Sequence, residues 1–205
     1  MVDKFMLIDC GVPFKYLFED YKELKIVMLT HIHSDHFNKS TVKRLAKERP
    51  ALRWACGKWM VAELIKCGVN PAKIDILDYE IEYDYGSFHV IPVYLKHNVP
   101  NMGFKFHFSN GKKLFYATDF NNFNGIFAKN YDLYLVEANY TEEEINQRIE
   151  NKRLDGKYCY EYQVKQNHMS KEKCDDWLYK NMGARSEFRY MHIHKTGKKE
   201  TQEIS

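Results

Sequence analysis

Cysteine is scarce in this chain of 205 residues, and it is placed badly for bonding. Cys10, Cys56, Cys67, Cys159 and Cys174 contain no CxxC pair and are odd in number. That excludes a disulfide framework and a thiolate metal site, and implies a reducing compartment. Proline (5) and glycine (10) are sparse too, and no Pro/Gly/Ser-rich linker or internal repeat divides the chain. One domain over residues 1–195 with a polar tail at 196–205 is therefore expected. No apolar run approaches the ~18 residues of a membrane span, and the opening MVDKFMLIDC lacks the apolar stretch of a signal peptide. A cytoplasmic protein with no membrane association is expected. Excess charge of one sign is also missing, because 31 Lys and Arg against 28 Asp and Glu leave only +3. This excludes the whole-molecule basic field of a nucleic-acid coat. One basic run remains, with Arg148, Lys152, Arg153, Lys157, Lys165, Lys171 and Lys173. It reads either as a solvated helix face or as a local surface for phosphate groups.

Aromatic residues are plentiful: 15 Tyr and 13 Phe in a chain that is 44% hydrophobic exclude disorder and supply one sizeable core. The runs KFMLID, KIVMLT, LRWACG, KIDIL, FHVIPVYL, GFKFHFSN, KKLFYATD, YDLYLVEANY and FRYMHIH read as strands. KIVMLT is apolar throughout, the pattern of a strand buried on both faces. SNGKK is a hairpin signal. NKSTVKRLAKERP and KWMVAELIKCG read as helices stopped by Pro50 and Gly68. Thr141, followed by Glu142, Glu143 and Glu144, is an N-cap with an acidic first turn, and Ser170 caps a further helix that Gly183 ends. Strand runs separated by helices suggest an α/β sandwich, with sheets inside and helices outside.

The stretch LTHIHSDHFN, residues 29–38, concentrates chemistry. Histidine and aspartate suit Zn, Mn or Fe. A short loop at the end of a buried strand can aim several side chains at one point. His31 and His33, two apart, can ligate one ion from one side, while Asp35 and His36 turn toward a second.

HxHxDH after an apolar strand resembles the metal-binding signature of the metallo-β-lactamase superfamily. Further motifs follow in order. HNVPNMGF resembles the third motif, with His97 as the match; LFYATDF resembles the motif with a bridging aspartate, with Asp119 as the match. RYMHIHK resembles the strand-terminal histidine of the fifth motif, where His192 aligns better than His194. The resemblance covers about residues 4–195. It implies an αββα sandwich with the site at one edge. One metal would be held by His31, His33 and His97, the other by Asp35, His36 and His192, with Asp119 bridging. The cofactors implied are two divalent ions, zinc first, with manganese or iron as alternatives; no organic cofactor is implied.

Two more positions resemble the tRNA-processing and phosphodiesterase branches and small prophage-type or bacterial relatives of the nucleases. Glu137 follows the apolar run of YDLYLVEANY, and His168 opens NHMSKEKCDDWL. In that branch the carboxylate orients the imidazole, which protonates the leaving group. The catalytic set implied is Asp35, Asp119, Glu137 and His168, acting with a metal-bound hydroxide on a phosphodiester, including nucleic acid. A carbonyl hydrolase (thioesterase, lactonase or β-lactamase-like) and a degenerate, non-catalytic metal-binding domain are the alternatives. Two departures stand out. The long substrate-binding arm of the tRNA-processing enzymes is absent, since residues 142–166 are too short for it. The strand that usually precedes LIDCG is also missing, which leaves an open sheet edge and an expectation of homodimer pairing or reduced stability.

Overall fold

A computed structural model describes residues 1–2 and 4–193. His194 and the tail expected at 196–205 lie outside the described residues. Contacts within the chain fall into two compact units, Met1–Leu114 and the part from Phe115 onward.

In the first unit, β1 (Met6–Ile8), β2 (Ile26–Leu29), β3 (Arg53–Cys56) and β4 (Ile74–Ile76) form a four-stranded sheet in that order. All its pairings are parallel. All four residues of β2 are buried, as an apolar strand inside a parallel sheet requires. α1 (Lys39–Glu48) starts where the Asn38 side chain accepts the Ser40 and Thr41 N–H groups, both at 3.1 Å. It buries Val42 and Leu45 in a core that also holds Val27, Leu29, Trp54 and, from α2 (Val61–Lys66), Leu64. β5 (Tyr83–Asp84), β6 (Phe88–Leu95) and β7 (Asn101–Phe108) are antiparallel neighbours in a separate sheet. Leu95 pairs with Asn101, so residues 96–100 form the loop at one end of β6 and β7. The expected hairpin turn is present: the Gly111 N–H donates to the Phe108 carbonyl at 2.9 Å.

β1 is the edge strand of its sheet. Val2 folds back on it through an antiparallel bridge to Met6, with bonds of 2.8 and 3.2 Å, which covers part of that edge.

β8 (Lys113–Ala117) runs across the boundary between the units. In the second unit β8, β9 (Leu133–Glu137) and β10 (Glu187–Met191) are neighbours in that order, with β9 and β10 parallel. Thr141 caps α3 (Glu142–Leu154) by accepting the Glu144 N–H, and Ser170 caps α5 (Lys171–Asn181) by accepting the Lys173 N–H. Trp177 on α5 stacks flat on Phe123, with centroids 4.1 Å apart, and packs against Phe115 and Tyr134.

Two elements have no counterpart among the expected ones. Phe14–Lys22 is a 3-10 stretch, and Glu161–Asn167 is a short helix, α4. The cations of the basic run are largely ion-paired, as on a solvated helix face. Lys152 pairs with Glu161, Arg153 with Glu150, Lys157 with Asp155, Lys165 and Lys173 with Glu142, and Lys171 with Asp175. Carboxylates interleaved with the lysines on these helices neutralise the charge locally. All five cysteines are free. No helix among the described residues is long and apolar enough to cross a membrane.

Candidate metal centre

The chemistry gathers at strand ends, and three such ends share a backbone signature. Asp9 directly follows β1, Asp119 lies two residues past β8, and His192 directly follows β10. All three are left-handed, with φ of 59°, 58° and 55°. That conformation costs an ordinary residue roughly 1–2 kcal/mol and persists where its surroundings impose it. Around Asp9 and His192 the bonds that impose it are visible. The Asp9 N–H donates to the Met28 carbonyl at 2.8 Å, and Asn139 Nδ2 donates to the His192 carbonyl at 2.9 Å.

In the first unit the structure brings together His31, His33 and His97, each offering a ring nitrogen within 4.8 Å of the others. β2 delivers His31, and the loop after β6 delivers His97. His33 Nδ1 and His97 Nε2 are 3.3 Å apart, and the three ring centroids are separated by 4.8 to 5.3 Å. Three converging imidazoles match the donor set of a borderline divalent cation. Asp35 and His36 form a looser pair, with Asp35 Oδ2 3.8 Å from His36 Nε2 and the Asp35 side chain well exposed.

Beneath these histidines lies a residue that sequence reasoning missed. Asp9, 7% exposed, accepts the Thr30 N–H at 2.8 Å and His36 Nδ1–H at 2.7 Å. Thr30 Oγ1 is 2.9 Å from both Asp9 oxygens and 2.9 Å from His31 Nδ1. A hydroxyl has one proton, and the carboxylate only accepts, so Thr30 donates to Asp9 and accepts from His31 Nδ1–H. Both His31 and His36 then carry their lone pair on Nε2, the tautomer a metal needs. The signal was available: LID, like LFYATD and LYLVE, is an apolar strand that runs into an acid.

Cys10 stands beside Asp9 as a neutral thiol. Burial, reinforced by the Asp9 charge, pushes it up to about 12. It therefore supplies no thiolate at ordinary pH.

In the second unit the structure brings together Asp119, Glu137, His168 and His192, again with donor atoms within 4.8 Å of one another. Glu137 is fully buried at the end of β9. Its Oε2 accepts the Phe120 N–H at 2.8 Å. Its Oε1 faces His168 Nδ1 at 2.6 Å and His192 Nδ1 at 3.1 Å. Asp119 Oδ2 accepts from Thr118 Oγ1 at 2.7 Å, and Asp119 Oδ1 is 3.3 Å from His192 Nδ1. His168 is held in extended backbone between α4 and α5. Two buried carboxylates with two imidazoles make a site that holds protons or cations at defined atoms.

The family described as the beta-lactamase superfamily domain matches residues 6–193. The chain belongs to the metallo-β-lactamase superfamily. No curated protein sequence matches it. Among solved structures, it resembles the metallo-β-lactamase fold protein YhfI from Bacillus subtilis, with a TM-score of 0.70 and 15% identity over 96% of this chain and 78% of that one. The human short-form tRNase Z follows with a TM-score of 0.65 and 14% identity, covering 95% and 84%. A diphosphatase from the PhnP family has a TM-score of 0.59 and 14% identity, covering 92% and 68%. The mixed α/β fold expected from the motifs is therefore the one present. The metallo-β-lactamase fold binds divalent metals, and the imidazole and carboxylate groups described above are of the kind such ions take.

Gly11 fixes how closely the histidine loop approaches β1. A Cβ there would lie 1.5 Å from the Asp35 carbonyl oxygen and 2.8 Å from the His36 nitrogen. The loop is pinned at this point by Cys10 N–H to the His36 carbonyl at 2.7 Å and Asn38 N–H to the Cys10 carbonyl at 2.8 Å. Gly11→Ala should therefore push the loop outward, destabilise the fold by roughly 1–3 kcal/mol, the usual cost of overpacking, and weaken zinc binding. Urea unfolding checks the first effect, and an unchanged midpoint would refute it.

Proposed function

We propose that the protein is a dinuclear metal-dependent hydrolase of phosphodiesters. The superfamily pattern assigns one ion to His31, His33 and His97 and the other to Asp35, His36 and His192, with Asp119 shared. Zinc is the first expectation, ahead of manganese or iron. When bound, the two cations supply Lewis acidity at the phosphoryl oxygens and lower the pKa of the attacking water.

The observation that carries the reading is the 2.6 Å contact of buried Glu137 with the partly exposed His168. Glu137 accepts His168 Nδ1–H, so Nε2 is the nitrogen left to give a proton to the departing alkoxide. The same carboxylate is locked by the Phe120 N–H, which stops it from turning away. Cleavage at a carbonyl needs no such pair. Likeness of fold to a tRNase Z and to a diphosphatase is in keeping with a phosphate ester as substrate, and free thiols are in keeping with a cytoplasmic setting.

The test is a panel on protein loaded with zinc or manganese: bis-p-nitrophenyl phosphate, nitrocefin and a thioester. Turnover of the phosphodiester alone supports the proposal, and turnover of nitrocefin or the thioester alone replaces it with carbonyl hydrolysis. Elemental analysis of the same samples should give up to two ions per chain, reduced in His31→Ala and in Asp119→Ala. Protein that carries no metal after loading would defeat the proposal.

A further inference from the structure

In the same unit as the three-histidine cluster stands a group of aromatic rings that the proposed chemistry does not use. Trp59 and Tyr79 stack with centroids 5.8 Å apart and planes at 29°. Tyr94 meets Tyr79 edge-on at 5.5 Å and 89°. Each ring is held in place. Trp59 lies flat on bare backbone, since a Cβ at Gly57 would fall 2.2 Å from its ring. Tyr79 donates its hydroxyl to the Asn101 carbonyl at 3.0 Å, at the start of β7. Burial pushes that phenol up to about 12, so it remains a donor at ordinary pH. Tyr94, by contrast, is 56% exposed, and a core-packing role does not account for it.

The location ties these rings to the histidines. Leu29 pairs with Cys56, so the carboxyl ends of β2 and β3 lie side by side. His31 is two residues past the first end and Trp59 three past the second. Ligands of parallel α/β sheets bind at such ends. Tyr94 is the penultimate residue of β6, three before His97, and three residues of extended chain span at most about 10 Å. Charge points the same way. Lys58 and Lys96 are both exposed and, among the described residues, neither is in an ion pair, whereas the lysines of residues 152–173 are paired with carboxylates.

We propose that Trp59, Tyr79 and Tyr94 form a stacking wall for a nucleobase beside His31, His33 and His97, so that the phosphodiester taken is a nucleotide or a nucleic-acid end. The inference rests on the phosphodiesterase reading and narrows its substrate. Tyr94 offers the exposed face, Trp59 and Tyr79 stiffen it from behind, and Lys58 and Lys96 attract the phosphates. Stacking on an aromatic face tolerates any base, so preference among bases is expected to be weak.

The test is equilibrium binding by calorimetry on zinc-loaded protein. The two probes are a phosphorothioate-linked dinucleotide and a dialkyl phosphodiester of equal charge that carries no base. The dinucleotide should bind more tightly. Tyr94→Ala should reduce that preference by about 5- to 150-fold, the range for loss of one base stack, and Tyr94→Phe should retain it. Equal binding of the two probes, or a preference unchanged in Tyr94→Ala, would overturn the wall even if the substrate panel shows phosphodiester turnover. A preference that depends on Tyr94 in a protein inactive on the panel would keep the wall and remove the hydrolase.

Discussion

His168→Ala should slow hydrolysis of a phosphodiester with an alkyl leaving group by about two to four orders of magnitude, the usual span for a general acid. The size of the effect follows from the leaving group. An alkoxide departs badly without a proton, whereas p-nitrophenolate departs unaided, so bis-p-nitrophenyl phosphate should lose far less. Glu137→Gln should reproduce the pattern more mildly. It keeps the imidazole but removes the charge that sits 2.6 Å from Nδ1, and its amide also disturbs the bond from the Phe120 N–H. Because Glu137 Oε1 also faces His192 Nδ1 at 3.1 Å, metal content must be measured in both variants. Equal slowing of both substrates at constant metal content would make His168 a positioning residue for substrate. No slowing of either would remove the acid altogether.

Much of this architecture was legible in the sequence, for physical reasons that differ by element. β2 announced itself because a strand buried on both faces must be apolar at every position. α3 and α5 announced their starts because Thr141 and Ser170 satisfy N–H groups that would otherwise have no partner. The histidine loop stood out because such donors have little reason to cluster at a strand end. Other features were less legible. Phe14–Lys22 carries an apolar stripe of Phe14, Leu17, Phe18 and Tyr21 that the sequence reading passed over, and Phe18 inside it takes φ 48°, which no local pattern foretells. α4, EYQVKQN, offers only Tyr162 and Val164 as apolar positions, so no stripe registers. The basic run could be read two ways because sequence alone does not show which carboxylates fold onto which lysines, such as Glu161 against Lys152. The aromatic wall was invisible because Trp59, Tyr79 and Tyr94 come from separate segments that only the folded chain brings together.

Asp9→Asn should weaken zinc binding about 10- to 100-fold, the usual effect of losing a group that orients metal-ligating histidines. The substitution suits the site, because asparagine tolerates the left-handed backbone at φ 59° better than alanine does. Its effect is fixed by donors and acceptors. The position must accept the Thr30 N–H, so the amide oxygen turns that way and the NH2 group faces His36. His36 Nδ1, which in the native chain donates to Asp9 at 2.7 Å, must then accept. Its proton moves to Nε2, and the lone pair needed by a metal is lost. Thr30→Val acts on the other branch. It removes the hydroxyl that accepts from His31 Nδ1–H, leaving that tautomer without its anchor while His36 keeps Asp9. It should therefore cost less than Asp9→Asn. Competition against a chromophoric chelator reads both affinities, with circular dichroism to show that the fold is intact. A folded Asp9→Asn protein that holds zinc as tightly as the native chain would show that Asp9 supports the sheet end and does not set the histidine tautomers.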